Sequence, residues 1–150
     1  TAGILPKIKQ FILEKRKYSL AISLNSADEE VRTKLMPLNN KWPINEIVKY
    51  LKNNYNERKN IMFEYVLIKG VNDSIEDAHN LANILRGYNC TINIIPYNDI
   101  QGIYSRPSID SIEKFTKILF NEQNKYKVTV RWSKGDDIAA GCGQLATNNI

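Results

Sequence analysis

Apolar residues recur along this chain in two alternating rhythms. From Pro6 to Lys17 the spacing is helical, with Ile8, Phe11 and Ile12 on one face and a proline suited to the first turn. Tyr18–Leu24 alternates residue by residue and predicts a strand. Ile44–Asn54 predicts a second helix, striped by Ile47, Val48 and Leu51, and Ile61–Ile68 a second strand, closed by Gly70 and the turn-forming pair Asn72-Asp73. Asp73 or Ser74 can cap the next helix, which carries Ala78, Leu81, Ala82 and Leu85 until Gly87 stops it. Thr91–Ile95 predicts a strand. Asp110–Asn124 predicts a helix capped by Ser108 or Asp110, with Ile112, Phe115, Ile118 and Leu119 inward. Lys127–Trp132 predicts the last strand, ahead of a glycine-rich tail over 133–150. Strands alternating with helices define the α/β class: βα units around a parallel sheet, in one domain.

The strands are not apolar on both faces, as a sheet covered on both sides requires. Leu20, Ile22 and Leu24 alternate with Ser19, Ala21, Ser23 and Asn25, and Phe63, Tyr65 and Leu67 with Met62, Glu64 and Val66. Ile92 and Ile94 alternate with Thr91, Asn93 and Ile95, and Val128, Val130 and Trp132 with Thr129, Arg131 and Ser133. Successive side chains point to opposite faces. Each strand therefore offers an apolar face to the helices and a small or polar face to something else. A dry interior around Glu64 or Arg131 would cost several kcal/mol, on the order of the penalty for a buried unpaired ion. Either the second face is solvated or it lines a polar lumen. The strand endings Ser23-Leu24-Asn25, Lys69-Gly70, Pro96-Tyr97-Asn98 and Ser133-Lys134-Gly135 favour the lumen, because parallel α/β folds place their ligands at strand carboxyl ends.

Composition narrows the class. With 150 residues, 43% hydrophobic and 25% charged, the chain can bury a core. No run approaches the ~18 apolar residues of a membrane span, so no membrane partner is expected. No signal peptide is visible, and the opening Thr1-Ala2-Gly3, without an initiator Met, fits a piece of something longer. Lys and Arg number 21 against 16 Asp and Glu, a net charge of +5 that is compatible with a nucleic-acid partner. Two cysteines, Cys90 and Cys142, imply a reducing compartment, the cytoplasm or an organelle, and are too few for an iron–sulfur cluster by themselves.

Cys142 lies between Gly141 and Gly143, which let the backbone approach a ligand closely. Arg131 and Lys134 would lower its pKa and Asp136 and Asp137 would raise it. It reads equally as a small turn residue or as a reactive thiol. Cys90 enters a strand and reads as core, and His79 as a surface residue of its helix.

Five segments together resemble a known family. In order they are Leu20-Ala21-Ile22-Ser23-Leu24-Asn25, Leu35-Met36-Pro37-Leu38-Asn39, Phe63 through Asp73, Asn93-Ile94-Ile95-Pro96-Tyr97-Asn98, and Gly135-Asp136-Asp137-Ile138 with Cys142-Gly143-Gln144-Leu145-Ala146. They resemble the carboxyl half of the radical S-adenosylmethionine (SAM) RNA methyltransferases of the RlmN/Cfr type, closer to the RlmN branch, over nearly the whole chain. The resemblance implies that residues 1–150 form the carboxyl-terminal part of a partial (β/α)6 radical SAM barrel. It implies methylation of carbon 2 of an adenine in large-subunit ribosomal RNA, and in the bacterial branch also in transfer RNA. It also implies SAM and a 4Fe-4S cluster as cofactors, with the cluster ligands upstream in a missing amino-terminal half and no metal ligand here.

Carbon 2 of adenine is electron-poor and does not attack the methyl of SAM directly. In the family a cysteine, matched by Cys142, first takes the methyl group. A radical derived from a second SAM then activates that S-methyl for addition to the base. Ser23, Leu24, Asn25 and Asn98 match the SAM-contacting positions, with Asn25 standing where the family has His. That substitution keeps an amide that can hydrogen-bond and loses the imidazole. The rival expectations are a cluster-free RNA-binding module or degenerate paralogue without methyltransferase activity, and a thiol redox domain built on Cys142.

Overall fold

The structure is a computed structural model and describes residues 1–14, 18–55, 61–99, 103–121 and 125–132. Four strands, β1 (Leu20–Ser23), β2 (Ile61–Leu67), β3 (Thr91–Pro96) and β4 (Lys127–Val130), form one parallel sheet in the order β1-β2-β3-β4. That unbroken sequential order is the progression of a barrel wall, whereas a doubly wound sheet reverses direction partway. Among the described residues the helices are α1 (Leu5–Leu13), α2 (Glu29–Leu35), α3 (Ile44–Asn54), α4 (Ile75–Ile84) and α5 (Ile109–Asn121).

Register explains the two faces. Ile22, Phe63, Ile92 and Val128 form one cross-strand row, and Ser23, Glu64, Asn93 and Thr129 form the next, on the opposite face. The first row enters a single core with Ile8, Ile44, Ile47, Leu51, Leu81, Phe115 and Leu119 from the helices. Full burial of each such side chain contributes about 1.5–3 kcal/mol. Ser23 and Glu64 on the second row stay half-buried.

Most elements follow the apolar rhythm. α3 has the bounds that its stripe predicts, and Ser74, not Asp73, caps α4 through a capping box with Asp77. Asp73 instead accepts from the Gly70 amide (2.7 Å). Ser108 accepts from the Ser111 amide at the start of α5, which leaves Asp110 in the first turn and not at the cap. One expectation fails, and two short elements carry no signal in the pattern. Trp132 lies beyond the end of β4 and is 49% exposed, so it is not part of the core row. α2 and the 3-10 turn Pro37–Asn40 carry no periodic signal. In α2 the position that would mark an apolar stripe is Arg32, which has no exposed surface.

Arg32 is the hub of this corner. Its guanidinium donates to the carbonyls of Leu24 (2.9 Å), Ser23 (3.1 Å) and Ala2 (3.1 Å) and to Asn39 Oδ1. The Asn39 amide nitrogen donates in turn to Glu29 Oε2 (2.6 Å) and Thr33 Oγ1 (2.9 Å). Burial disfavours the charged guanidinium, and the Glu29 carboxylate favours it. The same network holds the first residues beside β1, where the Thr1 backbone nitrogen donates to the Ala21 carbonyl and the Ser23 amide to the Thr1 carbonyl. Gly3 fits this contact because its φ is +106° and a Cβ would stand 2.9 Å from Ile47 Cδ1.

Cys90 is core, as expected. Burial pushes its thiol up to about 12, and burial likewise raises Tyr65 and Tyr88. Two outcomes follow from these contacts. Arg32→Met leaves three carbonyls and Asn39 without their donor, and is expected to lower unfolding free energy by about 3 kcal/mol in urea titration. Below pH ~8 Cys90 holds its proton in both states and contributes nothing to pH dependence. Above its ordinary value of 9.0 the unfolded thiol ionises while the folded one does not, so stability falls as pH rises from there towards about 12. The urea midpoint is expected to decline across that window, and Cys90→Ala to flatten the early part of the decline.

Candidate functional site

Parallel strands end along one edge, so the residues after β1, β2 and β3 share a rim. At β1 the predicted triplet divides its work. The Leu24 side chain is in the core, and only its backbone reaches the rim: its amide donates to the Glu64 main-chain carbonyl (2.8 Å) and its carbonyl accepts from Arg32. Asn25 sits in the left-handed region with φ 59°. Its Oδ1 accepts from the Val66 amide (3.0 Å), and its Nδ2 donates to Met36 Sδ (3.2 Å). The amide that stands in the family's His position is therefore engaged in joining β1 to β2.

Ser23 is different. It projects from the polar face, half-buried, and its hydroxyl makes no hydrogen bond with another described residue. Beside it in register is Glu64, whose carboxylate also has no partner among the described residues. Next come Asn93 and Thr129, joined by a bond from Thr129 Oγ1 to Asn93 Oδ1 (3.1 Å). Neighbouring strands are ~4.8 Å apart, so this row is a continuous polar belt across the sheet.

Asn98, two residues beyond β3, has a buried Oδ1 that accepts no hydrogen bond among the described residues. A buried unpaired acceptor costs about 1–3 kcal/mol, and such groups occur where a ligand or water completes them. SAM fits this setting. Its ribose hydroxyls and adenine amine are donors, and both its sulfonium and its ammonium group are positive. Ser23 and Asn98 supply acceptors, and Glu64 supplies a negative charge. No group of three or more His, Cys, Asp or Glu side chains that could hold a metal ion occurs among the described residues.

Cys142, with Gly141, Gly143, Lys134, Asp136, Asp137 and the rest of residues 133–150, lies outside the described residues. His79 is exposed on α4, as expected. Sequence patterning missed Asn72, read only as a turn former. It is fully buried; its Nδ2 donates to the carbonyls of Asn25 (2.6 Å) and Val66 (2.8 Å), and its Oδ1 accepts from the Ile68 amide (2.7 Å). Its signal was present only as a polar residue in a stretch shared with the family.

A parallel sheet with helices packed on one face and a polar second face, its strands in unbroken sequential order, is the architecture of a segment of a βα barrel. No family model matches the chain. The dual-specificity RNA methyltransferase RlmN of Marinomonas is 42% identical over 150 residues, covering 97% of this chain and 39% of that protein. A Clostridium botulinum protein named "Probable dual-specificity RNA methyltransferase RlmN" is 42% identical over 154 residues, covering all of this chain and 44% of its own length. The crystal structure of a radical SAM methyltransferase from Sphaerobacter thermophilus superposes with a TM-score of 0.85 at 39% identity, covering 96% of this chain and 42% of that one. Over nearly its whole length the chain is similar to one part of the RlmN proteins, and its fold to one part of a radical SAM methyltransferase. It spans about two fifths of the length of the curated relatives it matches. No helix among the described residues is long and apolar enough to cross a membrane.

The Asn25 geometry can be tested directly. Asn25→Ala removes the acceptor of the Val66 amide and leaves at φ 59° a residue that adopts the left-handed region less readily than Asn. It is expected to cost roughly 1–3 kcal/mol in urea unfolding. Asn25→Gly, which loses the bond without the strain, is expected to cost less.

Proposed function

We propose that this chain is the carboxyl-terminal part of the catalytic barrel of a radical SAM methyltransferase that methylates carbon 2 of adenine in ribosomal RNA, and in transfer RNA as well. The observation that carries the reading is the match to RlmN proteins along the whole chain at about 40% identity. The rest of the barrel, with the ligands of a 4Fe-4S cluster, belongs to the part of the relatives that this chain does not span.

When bound, SAM and the cluster supply the methyl group and the radical that activates it. This chain's own residues bind, orient and carry. The Ser23 hydroxyl and the Asn98 amide hold SAM's polar groups at the rim, and Glu64 lends the lumen a negative charge beside them. The backbone of Leu24 and the Asn25 side chain set the position of Ser23 through their bonds to Arg32, Glu64 and Val66. Cys142, as a thiolate whose proton has left to solvent, would be the group that accepts the methyl that bound SAM would supply, with S-adenosylhomocysteine as the leaving group. Gly141 and Gly143 give that thiol the backbone freedom to face first the methyl donor and then the base.

In full-length protein, mass spectrometry is expected to find a methyl-sized addition on the peptide bearing Cys142. Cys142→Ala is expected to abolish RNA methylation by at least a hundredfold while reductive SAM cleavage continues. Methylation that survives this substitution would remove Cys142 as the carrier. RNA binding without any methylation would favour a cluster-free binding module.

A further inference from the structure

The loop after β3 carries a second feature that SAM binding does not use. It is anchored at three points: the Tyr97 amide donates to the Leu67 carbonyl (3.0 Å), the Lys69 amide to the Ser105 carbonyl (3.0 Å), and the Arg106 amide to Asp99 Oδ1 (2.7 Å). These bonds hold the described residues 97–99 and 103–106 beside the carboxyl end of β2. Among them Tyr97 and Tyr104 pack edge to face, with ring centroids 6.1 Å apart. The Arg106 guanidinium stands 5.5 Å from the centre of the Trp132 ring, just past β4. Trp132 is half exposed, Arg131 before it in the chain is exposed, and so is Lys69, whose amide bonds to Ser105 between Tyr104 and Arg106.

We infer that Tyr97, Tyr104, Arg106 and Trp132 form a stacking platform for an unpaired base of the RNA substrate, next to the base that is methylated. The inference rests on the reading of the chain as an RNA methyltransferase. A half-exposed indole costs hydrophobic free energy that an unpaired base can recover, because every base has a flat π face. A guanidinium plane already held at the indole extends that surface and adds a cation for the phosphate. Lys69 and Arg131 supply further positive charge, so three cations stand against the one carboxylate of Asp99, which accepts from the Arg106 amide. Flat aromatic faces with three cations suit an extruded or single-stranded nucleotide and not a duplex, whose bases are hidden in the stack. A base to be modified on its ring must leave the stack, and a neighbour held on a platform keeps it out.

The probe is a short single-stranded RNA carrying one 2-aminopurine, whose fluorescence is quenched by stacking. It is titrated against the full-length protein alongside the duplex of the same sequence. The single strand is expected to bind more tightly and to be quenched. Trp132→Ala is expected to weaken single-strand binding about tenfold and to relieve the quench, with the salt dependence unchanged. Trp132→Phe should keep most of both, and Arg131→Gln should lower the salt slope by about one. Because Trp132 is half exposed, its urea midpoint should stay close to that of the parent, and Arg106→Ala provides a second route to the same loss. Unchanged affinity and quench in both Trp132→Ala and Arg106→Ala would overturn the platform and leave the methyltransferase reading standing. A parent protein that neither binds the probe nor methylates RNA would overturn both.

Discussion

Where a parallel strand stops, its ladder ends and its last amides and carbonyls need other partners. Here three buried or half-buried side chains meet that need at one corner. Arg32 collects the carbonyls of Ala2, Ser23 and Leu24. Asn25 takes the Val66 amide, and Asn72 ties Asn25, Val66 and Ile68 together. These groups close the backbone internally, while the Ser23 hydroxyl and the Asn98 Oδ1 have no hydrogen-bond partner among the described residues. The rim is thus rigid in its main chain and selectively unsatisfied in its side chains, which is what a binding site requires.

The two-faced sheet follows from the same economy of contacts. Ile22, Phe63 and Ile92 are completely buried against the helices. One residue further on, Ser23, Glu64, Asn93 and Thr129 line the other face. A polar belt in the middle of a sheet is destabilising if dry and unpaired, and useful if it lines a wet lumen that receives a charged cofactor.

Much of this was legible in advance. The rhythm of Ile47, Val48 and Leu51 predicted α3 to the residue, and the alternation in Phe63-Glu64-Tyr65 already divided β2 into its core and polar faces. α2 was not legible, because seven residues with Glu29, Glu30, Arg32 and Lys34 contain no apolar stripe, and its buried position is filled by a charge. Trp132 was misplaced for the converse reason: period-2 alternation continues past the last hydrogen-bonded pair, and nothing in the pattern says where pairing stops. At the site, resemblance singled out Ser23, Leu24, Asn25 and Asn98 alike, and the structure gives them different jobs.

The order of helices and strands, the division of each strand into apolar and polar faces, and the positions of the family's segments were determined by the sequence alone, since they depend on spacing within short windows. The roles of Arg32, Asn39 and Asn72, the engagement of the Asn25 amide and the unpaired Asn98 oxygen were decided only by tertiary structure. Their partners lie up to 47 positions away along the chain, as the bond from Asn72 to Asn25 does. A polar side chain looks the same in sequence whether it is solvated, closing a strand end, or waiting for a ligand; only the atoms brought against it by the fold distinguish these states.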